Sequence, residues 1–340
     1  FSIDANHPPD RQALAAVLAQ IERVVLITGG PGTGKTTTVA RVLVLAVEAA
    51  ARRGETLRVA LAAPTGKAAA RLSESLRESY AKLLEDGRID ASLRDVLPNS
   101  ASTLHRLLGG RPDSLHFRHD AKNPLPADLV VVDEASMVDL PLMAKLASAL
   151  TPGARLILLG DRDQLPSVET GDVLAALCDA AGDGAAWPSR VAAQLAAATG
   201  ADIAMRDETC PLVRVELDRS RRQSAALELS ALSASIRAGD AARVVEGLRQ
   251  GAYRGVHWRS GRDTVLAEFV LDHALPHWRA IADAPDVATA LSMLRRHRVL
   301  TALREGEAGS RTLNARIALA LQRPGAREDA FFHGRPVMIR

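Results

Sequence analysis

The chain has 340 residues, 47% of them hydrophobic, with a net charge of +3 and a pI of about 9.1. That is enough chain for two domains with separate cores, and the apolar content excludes a disordered polypeptide. No apolar run reaches membrane-spanning length and no basic-then-apolar leader opens the chain. The two cysteines, Cys178 and Cys210, lie too far apart for a C-x-x-C metal site or a disulfide framework. The expected location is the cytoplasm. The weak basic balance suits a nucleic-acid partner and an ordinary solvated surface equally. The start at Phe1 and the stop at Arg340 read as cuts rather than natural termini.

In chain order, Asp10–Ile21 carries apolar residues at helical spacing. Gln12 on this helix is either solvated or an amide able to read adenine bidentately. Val24–Val39, VVLITGGPGTGKTTTV, then reads as a buried strand, a glycine-rich loop and the first turn of a helix. Gly29, Gly34, Lys35 and Thr36 fit G-x-x-x-x-G-K-[ST], the phosphate-binding P-loop. Gly30, Gly32 and Gly34 are expected to let the backbone curl its N–H groups inward around a β-phosphate at a helix N-terminus. Residues Gly29, Gly30, Pro31, Gly32, Thr33, Gly34, Lys35, Thr36 and Thr37 form the candidate ATP cradle. Lys35 supplies a point charge for the β- and γ-phosphates, and Thr36 a hydroxyl for Mg²⁺.

Leu57–Ala63 is a second strand, broken by Pro64 and Gly66 before a helix resumes at Lys67. Thr65, Gly66 and Lys67 offer a hydroxyl, a backbone N–H and a charge, a set suited to phosphates as well as to an ordinary strand-to-helix turn. In Ala101–Leu108, Ser102 or Thr103 is the N-cap of a short helix. Thr103, His105 and Arg106 are in reach of a nucleic-acid backbone there. Ser114–Leu125 reads as an inserted β-hairpin or a plain connector.

Leu129–Met137, LVVVDEASM, is an apolar strand ending in adjacent carboxylates. Downstream of a P-loop, Asp133 is the candidate Mg²⁺ carboxylate, and Glu134 the candidate base for the attacking water. Arg155–Gly160 is another strand, followed by Gln164, whose amide either senses the γ-phosphate or belongs to a loop held by Asp161 and Asp163. Residues 182–214 read as a peripheral segment. Arg219, Arg221 and Arg222 then cluster as a solvated basic loop or as an arginine finger from a second domain. Helices are expected over Glu228–Arg249 and Asp263–Ala282, a strand over Val299–Leu303, and a further helix after Gly309. The fold class is therefore α/β, a P-loop NTPase with tandem RecA-like domains: 1–181, with the insertion near 110–126, and a partial 215–340.

In order, GGPGTGKTTT, LAAPTGKAAARL, STLHRLLG, VVVDEASMVDLP, LGDRDQLPSV, ALREGEAG with LNARI, and GRPVMI resemble the superfamily 1 helicases. Within them, APTGKAAARL and TLHRLL are similar to the RecD family, the alpha subunits of exodeoxyribonuclease V. The resemblance implies an ATP- and Mg²⁺-dependent 5′–3′ DNA helicase acting on single-stranded DNA and duplex ends, in double-strand break repair and recombination. It implies RecB-like and RecC-like partners. By position it makes Gln12 the adenine contact, Lys35, Glu134, Gln164 and Arg222 the catalytic set, and Thr36 and Asp133 the metal ligands. Pro64, Thr65, Gly66, Lys67, Thr103 and His105 fall at motifs that meet single-stranded DNA, and the 114–125 insertion falls at the place of a strand-separating pin. An aromatic is usual where Arg221 stands, so the choice between Arg221 and Arg222 stays open. The family's late motifs and N-terminal docking domain are absent, so this span is expected to bind nucleotide without translocating. The alternatives are a stand-alone RecD-like helicase or relaxase-type motor, a nucleotide-switched scaffold, and a P-loop kinase. The adjacent Asp133 and Glu134 oppose the scaffold. GDRDQLP and TLHRLL, in place of a lid and acceptor site, oppose the kinase.

Overall fold

The structure is a computed structural model and describes residues 10–111, 116–164, 171–207, 210–218, 229–322 and 331–336. The chain divides into two compact units, residues 1–226 and 227–340. In the first, the elements run α1 (Arg11–Ile21), β1 (Val24–Gly29), α2 (Lys35–Arg52), β2 (Val59–Ala63), α3 (Gly66–Glu85), β3 (Ser102–Thr103) and α4 (Leu104–Leu107). There follow β4 (Leu129–Val132), α5 (Leu140–Ala149), β5 (Arg155–Gly160), α6 (Val173–Ala181), β6 (Trp187–Pro188), α7 (Ser189–Thr199), β7 (Met205–Arg206) and β8 (Val213–Leu217).

Six strands form one sheet in the order β3-β2-β4-β5-β1-β8, every neighbouring pair parallel. Parallel strands need covered crossovers, so both faces of such a sheet are buried and its strands read as continuous apolar runs. The side chains still alternate. Val25, Ile27, Leu129, Val131, Ile157 and Leu159 join one core with α1, α2, α3 and α7. Leu26, Val130, Val132, Leu156 and Leu158 join another, with residues of α4, α5 and α6. Helix α2 buries Val39, Val42, Leu43, Ala46, Val47 and Ala50, the i, i+3, i+4 stripe that places one face on the sheet.

The segment after residue 181 is more central than its composition suggests. Val191 and Leu195 of α7 are buried in the first core, and β8 pairs with β1 from Val25↔Val213 to Gly29↔Leu217. The sequence-drawn border at 215 thus falls inside a sheet strand, and the first unit extends to Ala226. Burial of the outer side of β1 requires this strand, which short local signals do not reveal.

In the insertion, an antiparallel bridge joins Gly110 to Phe117, and Asp120 accepts from the Lys122 and Asn123 amides at 2.8 and 2.9 Å in a tight Asx turn. Residues 114 and 115 of the expected hairpin lie outside the described residues.

The second unit contains α8 (Leu229–Arg237), α9 (Ala241–Arg249), α10 (Asp263–Ala282), α11 (Val287–Arg296) and α12 (Ser310–Leu321). Ala267, Leu313 and Ile317 are the buried centre of a small cluster. The single helix expected over Glu228–Arg249 is two, because Gly239 takes a left-handed φ of 70° between them. The strand expected over Val299–Leu303 is not one: the segment is irregular, with Leu300 and Leu303 exposed. No strand of this unit is available among the described residues to satisfy its backbone groups, and a lone strand has no ladder. Among the described residues, no helix is long and apolar enough to cross a membrane.

Leu43 is fully buried and Leu45, two residues on, is 39% exposed. Leu43→Ala should cost about 3 kcal/mol and Leu45→Ala less than about 1 kcal/mol. Urea unfolding of the two variants checks that difference.

Candidate nucleotide site

Parallel strands deliver all their carboxyl ends to one edge of the sheet, where open α/β folds bind ligands. Strand β5 lies between β1 and β4. The turn carrying Gln164 is thereby set between the P-loop and the Asp133–Glu134 pair. A cavity of about 430 Å³ opens at this edge. Its lining brings together Gln12, Gly30 to Thr37, Asp133, Glu134 and Gln164.

The P-loop floor is braced from β8. Gly29 has φ +156°, and a Cβ there would sit 2.5 Å from the Leu217 carbonyl oxygen, so no side chain fits. Just before it, the Thr28 hydroxyl accepts from Arg214 Nε at 2.9 Å; Arg214 is buried and also donates to Glu216 at 2.6 Å. Gly34 has φ +88°, and a Cβ there would meet Gln12 Nε2 at 2.7 Å. The curl differs from expectation at one position. Gly30 does not take a positive φ and has open space where a Cβ would stand, whereas Gly29, Gly32 and Gly34 carry the left-handed geometry.

Gln12 is not a solvated helix residue. It is 4% exposed, donates to the Thr33 carbonyl at 3.5 Å and accepts from Arg41 at 3.3 Å. Lys35, at the start of α2, donates to the carbonyls of Gly29 and Gly30 within its own loop. A polyanion in the cradle would compete for this ammonium with far stronger charge than two carbonyl dipoles.

Asp133 follows β4, and its carboxylate accepts from the Glu134 N–H at 2.9 Å. Burial pushes its pKa up to about 6; the Glu134 charge adds to the rise, while the Glu134 N–H and the charges of Lys35 and Arg71 oppose it. Glu134 has φ 52° and ψ 42°, the one non-glycine residue with positive φ among the described residues. Left-handed backbone at a glutamate costs on the order of 1 kcal/mol, a strain typical of residues whose side chain must be aimed. Gln164 is exposed; its Nε2 donates to Asp161 Oδ2 at 3.2 Å, and Asp161 Oδ1 accepts from the Asp163 N–H at 3.0 Å. Gln164 therefore both lines the cavity and belongs to a turn organised by Asp161.

The nucleic-acid candidates gather at the other end of the same sheet edge. Ala63 is in register with Thr103 across β2 and β3, so the turns carrying Pro64 to Lys67 and Thr103 to His105 are neighbours. Both threonines are helix N-caps: Thr65 Oγ1 accepts from Ala68 N–H and Thr103 Oγ1 from Arg106 N–H, each at 3.2 Å. Thr103, not Ser102, is the cap of α4. An accepting hydroxyl still has its own proton to donate to a phosphate oxygen. His105 is exposed, its ring centroid 5.8 Å from that of Phe117. Arg219, Arg221 and Arg222 lie outside the described residues. The sequence reading passed over Arg71 and Ser75 of α3, which line the nucleotide cavity, and over Arg214. The signal for α3 was available in the i, i+3, i+4, i+7 run of Ala68, Arg71, Leu72 and Ser75, which forms one helix face.

A P-loop on a six-stranded parallel sheet, with an acidic pair at the end of the next strand but one, defines the RecA-like P-loop fold. A family profile described as an AAA domain matches residues 12–170. The chain is 42% identical over 336 residues to a RecBCD enzyme subunit RecD of Mycobacterium tuberculosis, covering 97% of this chain and 52% of that protein. To the RecD subunit of Haemophilus influenzae it is 36% identical over 356 residues, covering 97% and 55%. To an ATP-dependent RecD2 DNA helicase of Deinococcus radiodurans it is 45% identical over 169 residues, covering 49% of this chain and 20% of that protein. The likeness to RecD subunits thus runs over nearly the whole of this chain, which spans about half the length of the RecD subunits it matches.

Asp133 binds a proton more tightly folded than unfolded, so folded stability should fall as pH rises from about 4 to about 6 and stay lower above that. Asp133→Asn removes this penalty. It should stabilise the nucleotide-free protein by about 3 kcal/mol at pH 7.5, the equivalent of roughly two pKa units, and by almost nothing below pH 4. Denaturant midpoints at the two pH values decide it.

Proposed function

We propose that this chain is the motor part of an ATP-dependent DNA helicase that moves 5′ to 3′ on single-stranded DNA. In this reading it works in the cytoplasm as one subunit of a helicase–nuclease that acts on duplex ends in double-strand break repair, with RecB-like and RecC-like partners. The observation that carries it is the convergence of the P-loop, Asp133, Glu134 and Gln164 on one cavity, with the Thr65 and Thr103 turns on the same sheet edge. The subunit reading is preferred to a stand-alone helicase because the RecD subunits match 97% of this chain and the RecD2 helicase 49%.

The roles follow from chemistry. The inward N–H groups of the cradle and Lys35 bind the β- and γ-phosphates, and Gln12 reads the base. Thr36 and Asp133 are hard oxygen donors lining the same cavity, the type that Mg²⁺ takes together with phosphate oxygens and water. When bound, that ion would neutralise charge developing on the phosphates. Glu134, aimed by its left-handed backbone, takes a proton from the attacking water. Gln164 reports the terminal phosphate by exchanging its bond to Asp161 for one to that group. Arg222, which lies outside the described residues, is assigned by resemblance alone as the arginine finger. Alternate tightening and release of the Thr65 and Thr103 grips on the sugar–phosphate backbone is how hydrolysis becomes movement.

In the full-length protein, single-stranded DNA should stimulate ATP turnover, and Lys35→Gln or Glu134→Gln should lower it by at least about a hundredfold. Unwinding that survives either substitution would sink the assignment; a wild-type ATPase indifferent to DNA would favour a nucleotide-switched scaffold. Glu134→Gly separates strain from chemistry. It should raise the thermal midpoint, by relief of about 1 kcal/mol, while turnover is lost.

A further inference from the structure

Arg71 stands on the wall of the nucleotide cavity, on a face of α3 that adjoins its apolar face at Leu72. Helix α3 buries Ala69, Leu72, Ser73, Leu76, Tyr80 and Leu83 toward the sheet side. Ala68, Arg71, Leu72 and Ser75 line the cavity that also holds Lys35, Asp133, Glu134 and Gln164. Among the described residues the Arg71 guanidinium makes no hydrogen bond and no ion pair, and it is exposed. Its charge, with that of Lys35, is one of the two cationic influences on the Asp133 carboxyl, which sets it on the Asp133 side of the cavity. The other end is marked by Gln12, packed on Thr33 and Gly34.

The charge balance is unfavourable without it. A nucleoside triphosphate remains strongly anionic with one divalent ion bound, and Asp133 and Glu134 add two more carboxylates beside its far end. Lys35 is the other cation lining this cavity. A planar fork of donors with nothing else to bind matches the geometry of a terminal phosphoryl group.

We propose that Arg71 binds the terminal phosphate of the nucleotide in cis, so that the first unit itself discriminates a triphosphate from a diphosphate. This rests on the reading of the cavity as a nucleotide site and adds to it the residue that reads phosphate number. Arg71 would withdraw charge from the γ-phosphate at the point where Glu134 delivers the hydroxide equivalent, the role a transition-state cation needs.

The test is equilibrium binding of fluorescent non-hydrolysable ATP and ADP analogues to the full-length protein, for wild type, Arg71→Ala, Arg71→Lys and Lys35→Ala. Arg71→Ala should weaken the triphosphate analogue by about tenfold or more and the diphosphate by less than about twofold. Arg71→Lys should recover only part of the loss, because a point charge replaces a bidentate fork. The thermal midpoint should not move, since an exposed unpaired side chain is removed. Equal loss for both analogues, or none, overturns the proposal. So does loss of single-stranded DNA binding with the triphosphate-to-diphosphate ratio unchanged, which would make Arg71 part of the Thr65 grip. Lys35→Ala keeps the two levels apart: if it weakens both analogues while Arg71→Ala alters neither, the site stands and the Arg71 assignment falls. If wild type binds neither analogue, the nucleotide site itself falls.

Discussion

Burial of an all-parallel sheet on both faces is the constraint from which the site follows. With helices on each side, every crossover returns the chain to the same starting edge, and every strand ends at the opposite one. That edge collects turns that are far apart in sequence. The order β3-β2-β4-β5-β1-β8 then decides who meets whom. The P-loop after β1 and the carboxylates after β4 flank the Gln164 turn after β5, while the turns after β2 and β3 stand beyond β4.

Within this frame the site holds several unfavourable states at once. Asp133 is a buried carboxyl that resists ionisation, Glu134 sits in a left-handed backbone conformation, and Lys35 is turned back onto carbonyls of its own loop. A bound cation would relieve the first and an anionic ligand the last. The tightly packed surroundings hold them in place: Arg214 ties β8 to the end of β1, and the Leu217 backbone closes on Gly29. A site organised in advance loses less on binding than one that must be assembled around its ligand.

The two threonines at the far end of the edge serve the fold as helix caps, and in the proposed reading they serve the DNA grip as well. Capping fixes the start of α3 and of α4, and so fixes where each hydroxyl oxygen sits. Thr65 and Thr103 could not be moved by a residue without losing the helix starts. The cap is why a helix begins there, and the strand register Ala63↔Thr103 is why the two begin side by side.

How far the sequence reached depended on whether the information was local. Strand β1, strand β5 and helix α10 were legible because an apolar run bounded by glycine, or a continuous helical stripe, specifies itself over neighbouring residues. The P-loop and the Asp133–Glu134 pair were legible for the same reason: their spacing is their chemistry. Val299–Leu303 looked like a strand and is not one, because a strand requires a partner as well as an apolar run. Strand β8 looked peripheral and closes the sheet, because its partner lies nearly two hundred residues earlier. By itself, the sequence determined the P-loop class of the fold and the likeness to RecD subunits. Only the tertiary structure decided that Gln12 is buried against the P-loop, that Gly30 is not a curl position, and that Arg71 faces the cavity. The first and last depend on how helices are rotated against a sheet, and that rotation is set by packing between segments distant in the chain.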